Sequence, residues 1–107
     1  MSAGAEVARL AATIEARRGA GAQESWTASL LAAGPEKCAE KFGEEAIEAV
    51  IEAVRGDRDA LAREAADVLY HLLVMCAARG VALADVEAEL ARRAGTSGLA
   101  EKAARRP

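Results

Sequence analysis

The stretch that decides the fold runs from Pro35 to Arg79, PEKCAEKFGEEAIEAVIEAVRGDRDALAREAADVLYHLLVMCAAR. It reads as two long helices with a tight break at Gly56-Asp57. Pro35 suits a first helical turn, where its missing N–H costs nothing. That helix should run to Arg55 and stop at Gly56. Asp57 can then cap a second helix reaching Arg79, before Gly80. So short a connection makes the two helices antiparallel neighbours.

On the wheel, Phe42, Ala46, Ala49, Val50 and Ala53 spread over one broad face of the first helix. Lys37, Lys41, Glu44, Glu45, Glu48 and Glu52 share the other, with Glu45 at the border. On the second, Leu61, Ala65, Val68, Leu69, Leu72, Met75 and Cys76 form an apolar stripe. Leu73 and Val74 carry apolar character almost all the way round, so the helix should be buried on most sides. Glu64, Asp67 and His71 nonetheless share one strip of it, and buried charge is costly unless compensated.

Working outward, the remaining residues also read as helical. Residues from about Ala3 to Arg18 form one candidate helix, ended by Gly19-Ala20-Gly21. Ser25 can cap a short helix through Leu31, in which Trp26 is expected to be the packing anchor. Leu83 to Arg93 forms a further helix. The domain should span residues 1–93, and 94–107 should be a mobile tail with little apolar surface beyond Leu99. The composition agrees: of 107 residues 52% are apolar, 29% charged and 3% aromatic, and Asn is absent. Roughly a quarter are Ala, a composition that suits helices and disfavours an all-β domain. Gly43 interrupts the first long helix. It is either a tolerated flaw or a place where another backbone or a ligand comes close.

The net charge of −3 argues against nucleic-acid binding by phosphate neutralisation. No apolar run approaches the roughly 18 residues that would span a bilayer, and the first ten residues do not read as an export signal. Cys38 and Cys76 read as small buried hydrophobes rather than a disulfide or metal pair. A cytoplasmic protein is expected.

Across the antiparallel pair, Glu45 and Glu48 would face Glu64 and Asp67. Two carboxylates about 5 Å apart repel by about 3 kcal/mol at an effective dielectric near 20. Four demand either shared protons or a hard divalent cation. Oxygen donors without paired thiolates favour Mg²⁺, with Mn²⁺ as the alternative. Mg²⁺ completes its shell with waters and phosphates, which points to a phosphorylated substrate. Each feature has a plainer reading: Glu-x-x-Glu as a solvated face, His71 as a core histidine, Lys37 and Lys41 as solvated charges.

Glu45-x-x-Glu48 followed by Glu64-x-x-Asp67 resembles the paired acidic motif of the all-α, MazG-like nucleotide pyrophosphohydrolases. The surrounding text is narrower. Ser25-Trp26-Thr27-x-x-Leu30, Gly34, Lys37-x-x-x-Lys41-x-Gly43-Glu44-Glu45-Ala46-x-Glu48 and Glu64-Ala65-Ala66-Asp67-Val68-Leu69-Tyr70-His71-Leu72-Leu73-Val74 are similar to the phosphoribosyl-ATP pyrophosphatase family. So is Asp85-Val86-x-x-x-Leu90-x-x-Arg93. The resemblance spans about residues 6–93. It departs at Gly21-Ala22-Gln23-Glu24, which lacks a common Pro, and at Phe42, which is bulkier than the usual residue.

The resemblance implies Mg²⁺-dependent hydrolysis of 1-(5-phosphoribosyl)-ATP to 1-(5-phosphoribosyl)-AMP and pyrophosphate, the second step of histidine biosynthesis. Glu45, Glu48, Glu64 and Asp67 would be metal ligands. Glu44 would be a further ligand, a partner of a ligand, or a general base. Lys37 and Lys41 would hold phosphate oxygens, with Ser25, Thr27 and His71 as further substrate contacts. An all-α antiparallel bundle follows, its four-helix core completed by a homodimer that buries Leu69, Leu73 and Val74. Two other functions compete: a housecleaning NTP or dNTP pyrophosphohydrolase of the same superfamily, and a non-catalytic helical dimerisation module.

Overall fold

The computed structural model describes residues 4–95 and 98–105. Among them the secondary structure is helical throughout, with no strand: α1 Ala5–Ala16, α2 Trp26–Ala33, α3 Pro35–Arg55, α4 Arg58–Ala78, α5 Leu83–Arg93 and α6 Gly98–Arg105. The expected helix bounds hold within a residue or two at most ends. The proposed start at Ala3 lies outside the described residues. In the segment expected to be a tail, α6 forms a helix that the sequence reading did not anticipate.

Local chemistry sets the long hairpin. Gly34 ends α2 and opens α3 at φ 102°, and Pro35 follows in the first turn. Gly56 closes α3 at φ 82°, a left-handed conformation that a side chain would strain. Asp57 then accepts a hydrogen bond from Ala60 N–H at 2.9 Å and starts α4. The two 21-residue helices pack along one another, and theirs is the most extensive contact between elements.

α1 and α2 pack against the hairpin and supply its core. Ile14, Leu30, Cys38, Leu73, Val74 and Ala77 form one buried cluster. Two polar ties pin it. Cys38 Sγ donates to Leu30 O at 3.2 Å, joining α3 to α2. Arg18 Nη2 donates to Ala77 O at 3.0 Å, fastening the end of α1 to α4.

Two expectations need correction. Leu73 and Val74 are not left for a second copy; α1 and α2 fold back over the second half of α4, and Val74 is 0% exposed. Leu69 does remain exposed, but the larger unburied apolar stripe is on α3: Ile47, Val50, Ile51 and Val54. Nor does Trp26 anchor α2. Thr27, Ala28 and Leu30 carry that helix's inward face, and Trp26 stands 56% exposed.

Among the described residues no single helix is long and apolar enough to cross a membrane. α4 and α5 meet that test only taken together, across a bend of 106°. The apolar part of α4 includes core residues of this fold.

Candidate active site

Along α3, the residues at positions 41, 45, 48 and 52 recur on one side, as 3.6-residue periodicity requires. α4 brings Glu64 opposite them. Carboxylate oxygens of Glu45, Glu48 and Glu64 lie within 4.8 Å of one another. Asp67, the fourth expected ligand, is outside this triad and exposed. Its charge still reaches the centre. Burial first, then the charges of Glu48, Asp67 and Glu64, holds the Glu45 carboxyl above its ordinary value. Burial and the charges of Glu48 and Asp67 do the same to Glu64.

Glu64 Oε2 is buried and has no hydrogen-bond partner. Buried carboxylate oxygens are rarely left so. Three converging hard oxygen donors, one of them orphaned, fit a small divalent cation better than a solvated acidic face.

The flanking residues divide by what they touch. Lys41 Nζ is 3.4 Å from Glu44 Oε1, and Lys37 Nζ is 3.4 Å from Glu40 Oε1. Both pairs are i,i+3 on α3. Lys41 also lies 6.0 Å from the centroid of the Trp26 ring. Ser25 Oγ accepts from Ala28 N–H at 3.2 Å and caps α2. Thr27 Oγ1 is hydrogen-bonded to Tyr70 Oη at 2.5 Å, so this hydroxyl joins α2 to α4. The Tyr70 ring in turn meets His71 edge-on, with centroids 4.9 Å apart. His71 is 6% exposed and its Nδ1 is unpartnered. Burial lowers its pKa, opposed by the charges of Asp67 and Glu44, while Lys41 reinforces the lowering. His71 is therefore a core histidine beside the acidic centre, with no hydrogen bond at Nδ1.

Sequence reasoning missed Tyr70. A Thr two residues after the Ser25 N-cap, and a lone Tyr on the most apolar helix, were the available signal. The Gly43 ambiguity narrows: apart from its chain neighbours and the adjoining backbone of α3, no described atom would lie within 4 Å of a Cβ placed there, so no close approach by another element of the protomer requires glycine.

The helical hairpin thus gathers carboxylates from both of its arms, Glu45 and Glu48 from α3 and Glu64 from α4. The family model for phosphoribosyl-ATP pyrophosphohydrolase matches residues 7–94. A phosphoribosyl-ATP pyrophosphatase of Cereibacter sphaeroides is 77% identical over 97 residues, which are 91% of this chain and 94% of that protein. Proteins of the same name from Jannaschia sp. (strain CCS1) and Ruegeria pomeroyi are 75% and 76% identical, over 91% and 90% of this chain and 95% and 91% of their own. The chain belongs to the phosphoribosyl-ATP pyrophosphohydrolase family.

Proposed function

We propose that this protein hydrolyses 1-(5-phosphoribosyl)-ATP to 1-(5-phosphoribosyl)-AMP and pyrophosphate in the cytoplasm, at the Glu45–Glu48–Glu64 centre and with Mg²⁺. Family membership makes it a hydrolase of histidine biosynthesis. The observation that carries the site assignment is the convergence of three carboxylates from two helices around an unsatisfied oxygen.

Glu45, Glu48 and Glu64 would hold the cation, with Asp67 adding negative charge at its edge. A bound cation supplies charge neutralisation for the triphosphate and a more acidic water. The chain's own residues do the rest. Lys41 and Lys37 offer ammonium charge to phosphate oxygens, each released from its i,i+3 acid partner. Glu44, freed from Lys41, can accept a proton from the attacking water. Ser25 keeps its hydroxyl proton for a substrate oxygen, and Thr27 contributes through Tyr70. His71, shielded and beside Lys41, Glu44 and Asp67, keeps bulk water from that end of the site.

The protein would act as a homodimer. Gly43, Ile47, Val50, Ile51 and Val54 recur at helical spacing on the side of α3 away from Glu45 and Glu48. Ile47, Val50, Ile51 and Val54 on α3, and Leu69 on α4, are all exposed in the protomer, and a run of exposed apolar side chains marks an interaction site. Pairing two α3–α4 hairpins over it would complete a four-helix core.

Turnover should be measured with phosphoribosyl-ATP beside a panel of NTPs and dNTPs, with and without Mg²⁺. The expected result is Mg²⁺-dependent pyrophosphate release, with phosphoribosyl-ATP favoured in kcat/KM. Preference for a plain dNTP would overturn the substrate, and undiminished activity in chelator would overturn the cation.

A further inference from the structure

The largest aromatic side chain of the protein lies at its surface, although the chain has one Trp, one Tyr and one Phe. Leaving an indole in water forgoes the apolar burial that a small domain most needs. Packing gives no reason for it, since Thr27, Ala28 and Leu30 already seat α2. Its position is nonetheless fixed. Trp26 is the first residue of α2, between the Ser25 cap and the Thr27–Tyr70 hydrogen bond.

It also stands in line with the acidic centre. Lys41 Nζ is 6.0 Å from the ring centroid and 3.4 Å from Glu44. Lys41 precedes Glu45 by one helical turn and Glu48 by two on the same side of α3. Aromatic surface, ammonium and carboxylate triad therefore follow one another along the hairpin. That is the order of base, first phosphate and scissile anhydride in a purine nucleoside triphosphate.

We propose that Trp26 is the purine-stacking surface of this site. The adenine ring of the substrate lies on the exposed indole, and its ribose and phosphates run past Lys41 to the triad. Stacking of a base on an aromatic side chain is worth about 1–3 kcal/mol, or roughly 5- to 150-fold in affinity. This assignment rests on the hydrolase reading above.

Because Trp26 is the sole tryptophan, its emission reports the contact directly. Stopped-flow mixing of the wild-type protein with Mg²⁺ and phosphoribosyl-ATP should quench the emission at once. The signal should recover as substrate is consumed and product dissociates. Inorganic pyrophosphate with Mg²⁺, which lacks a base, should leave the emission nearly unchanged. Trp26→Ala should raise KM about tenfold and change kcat by less than about threefold, and Trp26→Phe should restore most of the KM. Turnover without quenching, or an unchanged KM in a folded Trp26→Ala protein, overturns the stacking and leaves the hydrolase assignment standing. Absence of any turnover overturns that assignment and the stacking with it. Should Trp26→Ala fail to fold, the wild-type quench decides.

Discussion

Glu45 on α3 and Glu64 on α4 bring carboxylate oxygens within 4.8 Å of each other across the hairpin, with Glu48 as close to both. Burial and neighbouring charge hold both carboxyls above their ordinary value, so the ionised pair opposes the packing that brings it together.

Relieving that opposition should therefore stabilise the metal-free protein. Glu48→Gln keeps the side chain's shape and removes one of three charges. Its melting temperature without cation should rise by a few degrees, on the scale of roughly 4–8 °C per kcal/mol for a domain of this size. The gain in melting temperature on adding Mg²⁺, clear in the wild type, should largely vanish, and kcat should fall at least about 100-fold. Differential scanning calorimetry with and without Mg²⁺ reads all but the last. A Glu48→Gln protein that melts lower and still responds to Mg²⁺ would contradict the assignment.

The Thr27–Tyr70 hydrogen bond is a second testable junction. Thr27 is buried, so Tyr70→Phe leaves its hydroxyl without a partner and should cost about 1–2 kcal/mol. Thr27→Val in the same background removes the orphaned group and should cost little more. A double-mutant cycle by urea unfolding should give a coupling of about 1 kcal/mol. Additive costs would mean that the two hydroxyls do not sustain each other.

Val54 separates monomer from dimer. It is 83% exposed in the protomer, where Val54→Lys should be nearly neutral for folding. In a dimer built on the α3 stripe the same change would bury two ammonium groups without partners. Light scattering at micromolar concentration should show a dimer for the wild type and a monomer for the variant. A wild-type monomer would remove the proposed interface.

Glu89 should titrate far below an ordinary glutamate. Its carboxylate accepts from Arg92 at 2.7 and 3.0 Å and from Arg93 at 3.1 Å, which pushes its pKa to about 2. Because the folded value is below the ordinary 4.5, the stabilisation is complete above 4.5 and fades as pH falls toward about 2. Carbon NMR of the side-chain carboxyl should place its midpoint near 2, and Arg92→Gln should move it upward. A midpoint near 4.5 in the wild type would show that the fork of hydrogen bonds is not kept in solution.

The hairpin was legible because its punctuation is chemical: Pro35, Gly56 and Asp57 each do at a helix end what few other residues can. That Glu64 would meet Glu45 and Glu48 was legible for a related reason, since acids on an otherwise apolar α4 need a local explanation; that Asp67 would stand outside the group was not. What sequence could not give was the choice among apolar faces. α4 is apolar nearly all round, and nothing in its periodicity says that α1 and α2, rather than a second copy, cover Leu73 and Val74. The same ambiguity hid Ile47, Ile51 and Val54 as the exposed stripe. Trp26 was misread because size alone favours burial, whereas its place beside Ser25 puts it off the inward face. α6 escaped notice because Leu99 is the one large apolar residue among its Ala, Glu, Lys and Arg, so a short helix after a Gly-Thr-Ser-Gly run offers little apolar bulk to read.

The seam between α2 and α3 is closed by Cys38, 1% exposed, its thiol donating to Leu30 and raised in pKa by burial. Cys76 is only half-buried. Native protein offered an alkylating reagent should thus consume one equivalent promptly. The second equivalent would be taken up only as often as α2 lifts away from its neighbour. The slow label becomes a clock for that detachment, and ligands that grip α2 should make it run slower.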